Sequence, residues 1–187
     1  GGTLDGFTIE QGYGSTGLVG AGMYVSSSAT INECVIQDNQ TNGTAGAGGG
    51  LYLDSSSATI TYCHFDDNQA GGDGGAVYIS GGSPTFEACD FDDNSSFDDG
   101  GAVSSNGASV SVTDCNFIDN ETTGSGGMGG AIEQAGGSLT LIDCDITGNT
   151  AQRHGGGLRV SGGTTSITGG TVSYNESICH DGGGLEF

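Results

Sequence analysis

Apolar residues in this chain form no long runs; they alternate with polar ones over short stretches, as in Leu51-Tyr52-Leu53 and Ala58-Thr59-Ile60. Successive side chains of an extended strand point to opposite faces, so a period of two predicts strands. No segment sustains a helical period. The step from Ile60 to Cys63, with Phe65 after it, breaks the alternation and predicts a corner between residues 60 and 63.

The alternation repeats. CDFDDN at 89–94 has near-copies CHFDDN (63–68) and CNFIDN (115–120), with looser versions CVIQDN (34–39) and CDITGN (144–149). Anchored on the final residue, the equivalent positions are Gly12, Asn39, Asn68, Asn94, Asn120, Asn149 and Asn175, spaced 27, 29, 26, 26, 29 and 26 residues apart. A triplet of small residues followed by an apolar one keeps the same beat, from GAGMYV (20–25) through GGGLYL (48–53) and GGAVYI (74–79) to GGGLEF (182–187). Internal periods of this size signal stacked repeats, and three short strands with three corners fit one repeat.

Stacking such turns about 4.8 Å apart places equivalent residues in columns. One inward column reads Phe7, Cys34, Cys63, Cys89, Cys115, Cys144, Gly170; a second reads Ile9, Ile36, Phe65, Phe91, Phe117, Ile146, Val172. A third runs from Leu4 to Ile167, and a fourth from Met23 through Leu51 and Val77 to Leu185. Cysteine is then a small buried apolar residue, although equivalent Cα atoms at this spacing also permit disulfides between neighbouring coils. Asparagine sits at a turn, where it tolerates the left-handed conformation and can build an amide ladder. The small-residue triplet supplies a tight corner.

GGAI (129–132) with FDDN (65–68, 91–94) and FIDN (117–120) resembles the paired repeats of chlamydial polymorphic outer-membrane proteins. LDGFTIEQG (4–12) resembles the opening coil of secreted repeat proteins of the pectin-lyase-like superfamily. The resemblance covers essentially the whole chain and implies a right-handed parallel β-helix, here about seven coils of 26–29 residues forming a single domain over 1–187. It also implies an extracellular or cell-surface location. Members include adhesins and polysaccharide-cleaving enzymes, so the fold leaves function open.

Composition narrows the field. The chain has 187 residues, 40 of them Gly, with 23 acids against two basic residues and a net charge of −21. Two arginines cannot neutralise a nucleic-acid backbone, which excludes nucleic acid as a partner. No apolar run is long enough to insert in a membrane. No leader is visible, and the opening GGTLDGFTIE falls mid-pattern, as expected of a mature chain or a fragment uncapped at both ends.

One outward column reads Tyr24, Tyr52, Tyr78, Ser104, Glu133, Arg159, Glu186. Its three tyrosines are expected either to make a flat aromatic strip that binds a sugar or a protein partner, or a ladder that only stabilises the sheet. Glu133 and Glu186 lie two coils apart, roughly 9–10 Å, a separation compatible with inverting glycoside hydrolysis; the favoured reading is a surface salt-bridge ladder through Arg159. The NTD, DD, GHG and RIK cluster that the pectinase resemblance would require is missing from this column, where RHG (153–155) is only a fragment, and coil lengths vary too little for long cleft-forming loops.

Asp38, Asp67, Asp93 and Asp119 share the position before the Asn. Stacked carboxylates repel by about 1 kcal/mol per pair in water, so calcium between turns, salt screening, or splayed solvated side chains must relieve them. The calcium-binding nonapeptide repeat is missing. Cys179, His180, Asp181 and His154 form a further candidate metal cluster without zinc spacing. Of the sequons at Asn39, Asn42, Asn94, Asn120 and Asn175, Asn42 is the one free of the turn column.

These readings favour an extracellular structural or adhesive β-helix module, either a subunit joined head to tail with copies of itself or a piece packed against neighbouring coils. The alternative is a carbohydrate-binding or polysaccharide-cleaving enzyme; the net charge would repel an anionic polymer.

Overall fold

A computed structural model describes all 187 residues and contains strands, turns and no helix. The strands form one sheet of 12 strands and two of 7. Pairing is parallel and in register between successive coils, for example Leu51↔Val77↔Val103↔Ile132↔Leu158↔Leu185 on the first sheet and Phe65↔Phe91↔Phe117 on the second. The expected columns therefore exist as written, and the chain is a parallel β-helix. Its core is one cluster of 30 buried residues running along the axis. Within it Phe65, Phe91 and Phe117 stack with ring centroids 4.8 and 4.6 Å apart, at the coil repeat itself.

Two left-handed positions turn each coil. The first is the residue before the Cys column, as at Glu33, Tyr62, Ala88, Asp114 and Asp143, with φ between 50° and 53°. This is the corner that the break between Ile60 and Cys63 predicts. The second is the residue before the Asn, with Asp38, Asp67, Asp93 and Asp119 at φ 51–54°. The Asn itself was expected to take this conformation and does not. Its side chain instead points inward and is fully buried at residues 39, 68, 94, 120 and 149.

The buried amides form the ladder that the sequence suggests. Asn94 donates through Nδ2 to the carbonyl of Phe65 (2.9 Å) and to Oδ1 of Asn120 (3.0 Å). Its Oδ1 accepts from Nδ2 and the backbone N–H of Asn68, each at 3.0 Å. Both amide hydrogens and both oxygen lone pairs are used, and the same exchange runs from Asn39 to Asn175.

The first glycine of each small-residue triplet, such as Gly74 and Gly100, has φ between 61° and 76°. The second, Ala21 in the first triplet, is in the inner coils excluded from bearing a side chain by its neighbour: a Cβ on Gly75 or Gly101 would lie 2.1 or 2.0 Å from the carbonyl oxygen of the next coil. The five core-column cysteines are buried free thiols rather than disulfides. The end coils differ from the expected continuous core. Phe7 is 58% and Val172 37% exposed, because no coil covers them on the outer side.

Candidate functional site

Parallel register aligns Tyr24, Tyr52, Tyr78, Ser104, Glu133, Arg159 and Glu186 in one row on the outside of the first sheet. At its tyrosine end, ring centroids are 5.4 and 5.2 Å apart with interplanar angles of 10° and 25°. Rings this close and nearly parallel overlap, so each turns its faces to its neighbours and its edge to solvent. The flat strip offering ring faces to a sugar is not formed; the row is an aromatic ladder along the coils. Tyr24, half-exposed, ends the ladder and donates its hydroxyl to Asp54 Oδ2 at 2.6 Å.

The acidic end departs further from expectation. Glu133 and Ser104 point away from the core, yet are only 3% and 4% exposed. Asp73 and Asp99 each precede the first glycine of a triplet, which places them beside this row. Asp73 Oδ1 accepts the Asp99 N–H at 3.0 Å, and Asp99 Oδ1 accepts the Met128 N–H at 2.9 Å. Glu133 Oε1 accepts from Ser161 Oγ at 2.8 Å and lies 3.7 Å from Arg159 Nη1. Arg159 Nε is 3.9 Å from Glu186 Oε1, and His154 Nδ1 is 2.9 Å from Glu186 Oε2. The expected ladder Glu133–Arg159–Glu186 is thus formed, with Glu133 buried, Arg159, Glu186 and His154 part-exposed, and the turn acids Asp73 and Asp99 beside it.

Burial raises the carboxyls. Loss of water is the largest influence on Glu133; together with the charges of Asp99 and Asp73 it outweighs Ser161 and Arg159 and pushes the group up to about 7. Burial, then Asp73, pushes Asp99 to about 6, and burial raises Asp73 as well. Such carboxyls can hold and release a proton near neutrality. Neither of the molecule's two cavities includes them, however: one is a small void in the core and the other a groove beside the third sheet. Asp73 and Asp99 escaped the sequence reading although both precede GGAV; their place ahead of the triplet was the available signal.

The calcium candidates Asp38, Asp67, Asp93 and Asp119 stand on the turn outside the Asn ladder. Burial, followed by the charges of Asp66, Asp93 and Asp38, raises Asp67. No group of three or more His, Cys, Asp or Glu side chains converges as a metal site, either here or at His154, Cys179 and His180. His154 and His180 instead pack ring to ring at 4.7 Å, while Cys179 is exposed.

No curated protein and no solved structure matches the chain. A family model described as a right handed beta helix region matches residues 1–173. The parallel coils, the turn ladder and this match agree, and the chain belongs to the right-handed β-helix family.

Proposed function

We propose that this chain is a rigid extracellular β-helix module, structural or adhesive, and not a polysaccharide-cleaving enzyme. The observation that carries this reading is the covered state of Glu133. The carboxyls whose acidity would suit catalysis have no cavity in which a glycosidic bond could reach them. Instead, their hydrogen bonds to Met128, Asp99 and Ser161 tie successive coils together. The extracellular placing rests on the resemblance of the GGAI and FxxN repeats to those of surface proteins. Thiol burial is compatible with it: the Cys115 hydrogen bond and burial push Cys89 up to about 12, which keeps it a protonated, unreactive thiol.

The apolar end faces, marked by Phe7 and Val172, suit the packing of further coils, from a second copy head to tail or from a longer chain. The deciding measurement is turnover on a panel of neutral and acidic polysaccharides. The expected outcome is no new reducing ends and no unsaturated uronides. Products formed by the parent chain and lost in Glu133→Gln would establish the enzyme instead.

A further inference from the structure

The molecule's open concavity lies on a different face from the acid cluster. It is a groove of about 310 Å³ beside the third sheet, crossing four coils. Its walls come from Gln40 and Asn42 in one coil, Gln69 in the next, then Phe97 and Thr123. It exists because the coils differ here. At equivalent positions the coils carry Asn42, Gly71, Phe97 and Thr123, and Gly71 is closely packed, since a Cβ there would lie 2.7 Å from the backbone of Gly43. One coil on from Gly71, Phe97 projects as one wall, 47% exposed. The ring is held from behind, since a Cβ on Gly124 would meet its Cδ1 and Cε1 at 3.0 Å.

Three features of the lining point to one ligand chemistry. In a chain carrying 23 acids, none of the ten lining residues is charged. The polar groups are amides and hydroxyls, and Gln40 Nε2 donates to Gln69 Oε1 at 2.6 Å, so the two amides form an ordered pair with donors and acceptors left over. The third is the Phe97 ring, 47% exposed at the wall of the groove. Amides and hydroxyls that bind vicinal hydroxyl groups, beside one exposed ring that packs on an apolar sugar face, are the requirements of an uncharged carbohydrate. The volume stands at the lower end of ligand sites, which suits a terminal sugar or a short stretch of glycan.

We infer that the groove formed by Gln40, Asn42, Gln69, Phe97 and Thr123 is a binding site for neutral glycans, separate from the tyrosine and acid row. This gives the module an adhesive surface without requiring that any bond be cleaved. Its test is independent of the turnover assay, so either reading can fail alone.

The test is titration of the isotopically labelled chain with cellobiose, maltose, lactose and digalacturonate, followed by amide chemical shifts. At least one neutral disaccharide is expected to bind, shifting the side-chain amides of Gln69 and Asn42 and the backbone of Gly71, with digalacturonate weaker. Phe97→Ala should weaken binding about tenfold, the loss of one aromatic contact. Tyr52→Ala should leave it unchanged. Gln69→Ala provides a second groove variant if Phe97→Ala does not fold. Failure of every neutral disaccharide to bind at millimolar concentration, shifts located on the tyrosine row, or equal binding of digalacturonate would each overturn the inference.

Discussion

Two polar columns run along this molecule, and they solve the problem of burial differently. The Asn column stacks identical amides, each with two donors and two acceptor sites, and every copy satisfies the next. The row around Glu133 gathers carboxyls from its own strand position and from the turns at Asp73 and Asp99, and these when ionised only accept. Identical carboxyls cannot pair with one another. They borrow donors from backbone N–H groups, Ser161 and Arg159, and their acidity falls until Glu133 titrates at about 7. A repeated fold can therefore bury one amide per coil indefinitely, whereas each buried acid needs its own local arrangement.

The sharpest way to break that contrast is to write an acid into the amide ladder. Asn94→Asp replaces two donors by lone pairs facing the Phe65 carbonyl and Asn120 Oδ1. The expected loss at neutral pH is about 3–5 kcal/mol, that of an uncompensated buried charge, read by chemical denaturation. The folded-state pKa of the new acid must lie above its unfolded value. The penalty is therefore full above the folded pKa and shrinks as pH falls through it, because the protonated carboxyl regains one donor. A loss below about 1 kcal/mol would mean that the ladder is ornamental.

The converse change removes the acid where the fold tolerates it poorly. In Glu133→Gln the side-chain oxygen still accepts from Ser161, and the charge is gone. For the parent, the folded pKa of about 7 lies above the ordinary 4.5, so between these values the folded state binds more protons than the unfolded. Stability contributed by Glu133 thus falls as pH rises through this window, and the full cost is present above about 7. Asp99 acts in the same direction from its value of about 6. The variant should match the parent at pH 4 and exceed it by about 2–3 kcal/mol at pH 8. Equal stability of the two at pH 8 would show that Arg159 compensates the charge in full.

The same contrast explains what the sequence discloses. The core is legible because period-two alternation fixes which side chains point inward, and the in-phase hexapeptides fix the register, so Cys63, Phe65 and Leu51 fall where the spacing puts them. At the turn, two adjacent polar residues compete for one role. Both Asp and Asn suit the left-handed conformation, and propensity alone favours giving it to Asn. The distinguishing signal was internal: the residue before the Asn changes to Gly148 and Tyr174 in later coils, while the Asn persists. A left-handed position accepts several residues, whereas a ladder rung needs an amide.

Burial of Glu133 was not legible, since alternation says that it points outward and nothing in it reports the flanking turns of Asp73 and Asp99. Nor was the orientation of the tyrosine rings, which depends on χ angles rather than on register. The groove was hidden for a related reason. It arises where Gly71 interrupts a row of side chains, beside the longer 29-residue step between Asn39 and Asn68, and columns that emphasise likeness pass over such differences.

The smallest effect concerns acids that stay outside. Asp67 stands one residue from the buried Asn68, in the left-handed conformation, exposed, with Asp38 and Asp93 as its neighbours along the axis. Solvent screens these charges, so no local arrangement comparable to that of Glu133 is required. Asp67→Asn keeps a residue suited to the left-handed turn and removes one repulsive charge. It should raise stability by about 0.5 kcal/mol at low ionic strength, and the gain should vanish in concentrated sodium chloride. Calcium bridging of Asp38, Asp67, Asp93 and Asp119 would behave otherwise. It would lower the melting temperature on addition of EDTA, restore it with calcium but not magnesium, and make Asp67→Asn harmful whenever calcium is present. With no three carboxylates converging, the expected melting curves are the same with and without EDTA, and calcium and magnesium chloride at equal ionic strength should stabilise equally. A calcium-specific rise that Asp67→Asn abolishes would move these acids from the screened class into one that, like Glu133, needs a cationic partner.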